Sequence, residues 1–205
     1  MIIRILFSAL AVFALGAAAQ QQQQPTCHRC SATYVEKSEL DAFLERGVKT
    51  GGKNRRFGDQ QVRSVDAGKT GIAVGVVYRS KLIEPIPQSV AMHNQVSEVY
   101  HIIEGTATLV TGSDIVDLKA RPGDDRAVQY LNGPGGNGNS IRNGVEHHLK
   151  PGDVIVIPAG VGHWFTRIDD HIKYLMIRVD PDKVVPMKDA AAAKDDLTNG
   201  GKSKY

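Results

Sequence analysis

The stretch Gly152–His163, reading Gly-Asp-Val-Ile-Val-Ile-Pro-Ala-Gly-Val-Gly-His, constrains the fold of this chain more than any other. Val154–Ile157 is an apolar, β-branched run of strand length, read as a buried strand that follows the turn Pro151-Gly152-Asp153. Pro158-Ala159-Gly160-Val161-Gly162 is a tight connection that draws on glycine's backbone freedom, and His163 opens the next strand. The same pattern of short strands and turns runs through much of the chain. Gln61–Asp66 and Thr70–Tyr78 flank a turn at Asp66-Ala67-Gly68, and Ser89–His93, Glu98–Glu104 and Thr106–Thr111 follow, the last two joined at Gly105. Ile115–Leu118, Ala127–Leu131, His163–Arg167 and His171–Val179 complete the candidate strands. Many short strands at close spacing predict an all-β sandwich or barrel. Residues 133–140 are five-eighths glycine or proline and are expected to form an irregular surface loop.

The flanks read differently. Arg4, the apolar Ile5–Leu15 and Ala17-Ala18-Ala19 before Gln20 make residues 1–19 a signal peptide. The apolar run is short for a membrane span. The mature chain is expected to be exported, periplasmic or secreted, and free of the membrane after cleavage. Residues 20–60 form an N-terminal extension: a glutamine-rich linker, then a short helix capped at Ser38 with Asp41 at the matching box position. Leu40, Phe43 and Leu44 share one helix face, Gly47 is the expected stop, and Lys49–Gly58 reads as a solvated loop. Residues 61–180 are the β-domain, and 181–205 a flexible C-terminal tail with some helix at Asp189–Leu197. The net charge of +3 is spread along the chain, without a basic cluster interleaved with aromatics, so no nucleic-acid partner is expected.

Both cysteines lie in Cys27-His28-Arg29-Cys30. In an oxidising compartment a local Cys27–Cys30 disulfide is the favoured reading. The alternatives are a redox-active pair, with Arg29 and His28 lowering a thiol pKa, or a metal grip that includes His28.

His93, Glu98 and His163 carry the chemistry. A polar turn at Asn94-Gln95-Val96-Ser97 would end one strand at His93 and begin the next at Glu98, so both point into one interior. Alternation then puts Tyr100 and Ile102 inside, and Val99, His101 and Ile103 outside. Phe165 and Arg167 are expected on the face of His163. Two imidazoles and a carboxylate form the ligand set of an open divalent-metal site.

With these residues in view, the chain resembles the cupin superfamily over roughly Ser64 to Asp180. The second motif of that family matches from Gly152 to His163, with Arg167 where asparagine is usual. The first matches at His93, Glu98 and Gly105, but has Pro85 in place of its first glycine and Ala91 in place of its first histidine. The spacing between motifs is long for the family, and the glycine-rich 133–140 accounts for much of the excess. The resemblance implies a double-stranded β-helix, or jelly-roll barrel. It also implies metal ligands at His93, Glu98 and His163, with Fe(II) or Mn(II) favoured and Zn(II) acceptable.

The function expected is a metal-dependent enzyme of oxygenase type acting on a small molecule in the barrel. The alternatives are a non-catalytic sugar- or acid-binding module, a storage-like role, and a cupin isomerase or lyase. Arg167 is a candidate for binding a substrate carboxylate, or for pairing with an acid at the rim; Tyr100 is a candidate proton donor. His147 and His148 are read as a solvated strand face, with replacement of the missing imidazole as the alternative. His101 and His171, the latter in a turn, are read as structural, and Trp164 and Phe165 as packing. A homodimer is compatible with the family.

Overall fold

A computed structural model of the chain describes residues 25–27, 30–51 and 57–199. The expected leader over 1–19, the linker up to Gln24, and His28 and Arg29 of the cysteine motif lie outside these residues, as do residues from 200 onward. In chain order the elements are helix α1 (Lys37–Gly51), strands β1 (Phe57–Asp66), β2 (Gly71–Leu82), β3 (Val90–His93), β4 (Ser97–Gly112), β5 (Ile115–Val116) and β6 (Lys119–Ala120). A π-helical turn (Val128–Asn132) follows, then β7 (Gly135–Gly138), β8 (Ser140–Ile141), β9 (Val145–Leu149), β10 (Val154–Ile157), β11 (Gly162–Asp180) and helix α2 (Ala190–Asn199).

The strands form an antiparallel β-domain in which the long strand β11 is the hub. It pairs with β2, with β3 and along nearly its whole length with β4, while β4 also holds β9 and β10. The path continues from β3 to β7 and β6, and a separate two-stranded sheet joins β5 to β8. Inward side chains of β2, β4 and β11 build the main core, including Val77, Tyr100, Ile102, Leu109, Ile172 and Met176. Period-two alternation along β4 places Glu98, Tyr100 and Ile102 inside and leaves His101 and Ile103 exposed, as expected.

Several local expectations are corrected. Residues 133–140 are not an irregular surface loop: they contain β7, which pairs with β3, and β8, which pairs with β5. Glycine is used here for close approach. A Cβ at Gly135 would stand 2.2 Å from the Met92 carbonyl oxygen, and one at Gly138 2.3 Å from the Ile115 side chain. Ala127–Leu131 is helical rather than extended, because the Asp125 carboxylate accepts from the Ala127 N–H and its carbonyl from the Gln129 N–H. The β10 run is not a buried strand throughout. It pairs with β4, buries Ile157 and exposes Val154 and Val156. His171 lies in β11 rather than in a turn, just beyond a bulge that follows Ile168.

The helix differs as well. Ser38 lies inside α1, its hydroxyl bonded to Glu36, and Asp41 pairs with Lys37, so neither acts as a cap. Gly47 does not stop the helix. It lets α1 cross β1 closely: a Cβ at Gly58 would stand 2.3 Å from the Gly47 carbonyl oxygen. The stretch read as a solvated loop thus begins in α1 and ends in β1. The helix expected at Asp189–Leu197 is present as α2, and it is docked rather than loose, since Ala193 and Leu197 pack with Phe43, Val62 and Val76 on the outside of β1 and β2. Beside them the Asp196 carboxylate, buried, is paired with both Arg46 and Lys188.

Gly105 and Gly152 both have positive φ, at +82° and +91°, yet only Gly105 is crowded: its Cβ would meet the His171 carbonyl oxygen at 1.9 Å. Gly152→Ala should cost about 1–2 kcal/mol, for the left-handed backbone alone. Gly105→Ala should cost clearly more, because β4 and β11 must also separate. Urea unfolding of the two variants checks the difference.

Candidate metal centre

Three strand termini meet at one end of the β-domain. His93 closes β3, Glu98 is the second residue of β4, and His163 is the second residue of β11. The connection preceding β11 is tied back to β3 and β4: the Gly160 N–H donates to the His93 carbonyl (2.7 Å) and the Ala159 N–H to the Ser97 hydroxyl (3.0 Å). The two sequence stretches singled out above are therefore stitched together by backbone hydrogen bonds.

The three side chains are nearly inaccessible, at 3%, 2% and 4% exposure. His93 Nε2 lies 3.4 Å from Glu98 Oε1, and His163 Nε2 lies 3.5 Å from Glu98 Oε2. One ligand atom from each falls within 4.8 Å of the others. His163 Nδ1 faces the Val161 carbonyl at 3.4 Å, which favours the proton on Nδ1 and turns the Nε2 lone pair toward Glu98. Burial pushes the His163 pKa down to about 4, against the pull of Glu98 and with the neighbouring His93 adding to the fall. Burial would raise the Glu98 carboxyl, but His93, His163 and Arg178 together hold it well below the usual carboxylate range. An ionised carboxylate beside a neutral imidazole is the protonation state a divalent cation requires of such ligands.

Two further groups fix Glu98. The Tyr100 hydroxyl donates to Oε2 at 2.6 Å, and burial together with the Glu98 charge raises the Tyr100 pKa well above its ordinary value. Arg178 lies directly opposite Glu98 in the β4–β11 register, and its Nε donates to Oε1 at 3.3 Å. A terminal nitrogen of Arg178 also pairs with Asp59. Arg178 was not singled out from sequence, although a charge at an inward position of β11, in step with Tyr174 and Met176, is a usable signal.

These groups border a cavity of about 900 Å³. Ala91 lines it and stands directly across from His163 in the β3–β11 pairing, so the missing imidazole leaves space beside the cluster. Tyr100 lies at the cavity, with its hydroxyl committed to Glu98. Arg167 does not share the cavity face of His163: a bulge between Phe165 and Arg167 turns it outward, where it pairs with Asp169. His147 meets the Thr111 hydroxyl and His148 pairs with Glu146, both away from the cluster. His101 is exposed. His171 stacks on Tyr78 and bonds Glu104 and Asp170. Phe165 packs beneath the Arg79 guanidinium, and the Trp164 indole donates to Ser89. Cys27 and Cys30 are joined by a disulfide.

The cupin family model matches residues 76–195, which includes His93, Glu98, His163 and most of the cavity. This chain belongs to the cupin family. Acireductone dioxygenase 1 of Coprinopsis cinerea is 31% identical to this cupin over 153 residues, 72% of this chain. The chain spans 65% of that relative's length. Among solved structures, an RmlC-like cupin with a double-stranded β-helix fold from Methanocaldococcus jannaschii is 13% identical, covering 64% of this chain and 89% of the other, with a TM-score of 0.37. The DMSP lyase DddQ of Ruegeria pomeroyi is 17% identical, covering 63% of this chain and 49% of the other, with a TM-score of 0.38. The family match and the antiparallel strand order make the fold the cupin double-stranded β-helix, with a buried His-Glu-His group able to hold a metal ion.

Two outcomes are expected of the metal-free protein. His163 takes up a proton near pH 6.5 when unfolded but only near pH 4 when folded, so the unfolded chain binds more protons in that window. Its contribution to stability is complete above pH 6.5 and is lost as pH falls toward 4; the melting temperature should drop across this range, and by less in His163→Gln. Arg178→Met strands the buried Glu98 carboxylate and the partly buried Asp59, and should cost about 3–5 kcal/mol in urea unfolding.

Proposed function

We propose that this cupin is a metal-dependent enzyme of oxygenase type, acting on a small organic molecule inside the barrel. The observation that carries the reading is the buried cluster of His93, Glu98 and His163 at the edge of a cavity of about 900 Å³. The donor set suits Fe(II) or Mn(II) and would accept Zn(II). Likeness to acireductone dioxygenase 1 supports the oxygenase direction. The reading includes export of the mature chain, which the signal-like residues 1–19 and the Cys27–Cys30 disulfide support.

The roles follow from the geometry. His93, Glu98 and His163 would hold the ion, which when bound supplies a Lewis-acidic, redox-capable centre with positions open to a chelating substrate. Arg178 and Tyr100 keep the Glu98 carboxylate ionised and oriented, and Tyr100 keeps its proton on the phenolic oxygen. The space beside Ala91 admits substrate where a further imidazole would have crowded it. Phe165, Ile168, Leu82 and Met176 line the cavity with apolar surface that sheds water around a bound organic molecule.

The test is elemental analysis of the purified chain, followed by oxygen uptake with catechols, diketones and hydroxy acids. The parent protein should retain Fe or Mn and consume oxygen with at least one substrate class, while Glu98→Gln and His163→Ala lose most of the metal and the uptake. A chain that retains no metal after loading sinks the reading. A metal-loaded chain with a flat oxygen trace throughout redirects it to lyase, isomerase or binding chemistry.

A further inference from the structure

Six cations stand against four carboxylates at the cavity beside the cluster: Arg46, Arg79, Arg121 and Arg126 in its lining, and Arg178 and Lys188 bonded to its acids. Of the four carboxylates, Glu98 is engaged by Arg178 and the two histidines, Asp59 by Arg178, and Asp196 by Arg46 and Lys188, while Asp125 accepts from the Ala127 N–H and keeps a charge that acts on Arg121. Among the described residues, none of Arg79, Arg121 and Arg126 is ion-paired with a carboxylate. A divalent ion at the cluster would add to this excess.

The Arg79 and Arg121 guanidiniums are anchored in the same way. Arg121 donates from Nε to the Asn137 Oδ1 at 2.7 Å, and Asn137 is itself held by its Nδ2 on the Val90 carbonyl at 3.1 Å. Arg79 donates from Nε to the Tyr174 hydroxyl at 3.0 Å, and lies over the Phe165 and Phe57 rings at 4.4 and 5.0 Å. In each case the inner nitrogen positions the group, which leaves both terminal nitrogens of Arg79 and Nη2 of Arg121 for a ligand. Arg121 Nη1 reaches 3.5 Å from His93 Nδ1, so this cation stands directly against a ligand of the cluster. When a metal-bound imidazole uses Nε2, its Nδ1 carries the proton and cannot accept from Arg121. A planar fork of two N–H donors matches a carboxylate in geometry as well as charge, and the aromatic rings around Arg79 favour a flat partner.

We infer that the substrate of this cupin is a small carboxylic acid, its carboxylate held by Arg121 and Arg79 while an adjacent oxygen faces the His93–Glu98–His163 cluster. The adjacent-oxygen half of this assignment rests on the metal reading above; the arginine half does not. Arg121 and Arg79 are thus the specificity-determining residues of the cavity, discriminating acids from their neutral counterparts.

Calorimetric titration of the full chain, Mn(II)-loaded and metal-free, tests the assignment with glycolate, its neutral counterpart glycolamide, and inorganic phosphate as probes. Glycolate should bind the loaded protein at least about tenfold more tightly than glycolamide. Arg121→Gln should remove most of that preference, with metal content and melting temperature retained. Arg79→Lys, which keeps the charge but loses the fork, should weaken glycolate binding independently. Equal affinity for glycolate and glycolamide overturns the proposal, as does glycolate binding within twofold of the parent in both variants. Tighter binding of phosphate than of glycolate overturns the carboxylate assignment. If the chain takes up no Mn(II) but metal-free protein still prefers glycolate through Arg121, the metal reading fails and the arginine clamp stands.

Discussion

The buried carboxylate of Glu98 is the interaction on which the rest of the site depends. An ionised carboxylate at 2% exposure would be expelled or protonated without partners, because desolvation of a charge costs several kcal/mol. Here it meets Arg178, the Tyr100 hydroxyl and two imidazoles. Those partners come from three strands, so the charge is satisfied only when β3, β4 and β11 are in register. The pairing that sets Arg178 opposite Glu98 is the same ladder that builds the core, which makes the stability of the domain and the geometry of the cluster one problem. Without the arginine, the centre would hold a carboxylate whose charge only a bound cation could offset.

Around this charge, the architecture uses close backbone approach to make room for function. Glycines in β7 let that strand lie against β3, which brings Asn137 to Arg121 and Arg121 to His93. Ala91, on β3 across from His163, leaves open the volume that an imidazole would occupy. The result is a cluster of two imidazoles and a carboxylate flanked by a guanidinium rather than by a third imidazole. On the opposite side of the sheet, α1 and α2 cover β1 and β2, with the Gly47–Gly58 approach and the Arg46–Asp196–Lys188 network joining regions distant in sequence. This layer buries the outer face of β1 and β2, and Arg46 and Asp196 reach the cavity at its edge.

The residues of the cluster and the alternation on β4 were legible in sequence, because period-two patterning and turn chemistry are local properties. The Pro-Ala-Gly-Val-Gly connection and the polar turn after His93 likewise carry their geometry in a few neighbouring residues. What failed was context. A glycine-rich segment reads as a loop when its neighbours are unknown, yet glycine is also what a crowded strand needs, and only the positions of Met92 and Ile115 decide between the two. Gly47 reads as a helix stop for the same reason, although it is a contact with Gly58. The outward turn of Arg167 depends on a bulge between β11 and β4, which exists only once the two strands are paired.

By itself, then, the sequence determined that the chain folds into strands and that His93, Glu98 and His163 can share an interior, since both follow from residue type and spacing along a strand. Only the tertiary structure decided which charges surround them. Arg178, Arg121 and Arg79 lie 80, 23 and 19 residues from Glu98 in the numbering, and no local rule relates such positions. They meet because strand register and glycine-permitted contacts bring their elements together, and a buried charge is stable only where those elements deliver its partners.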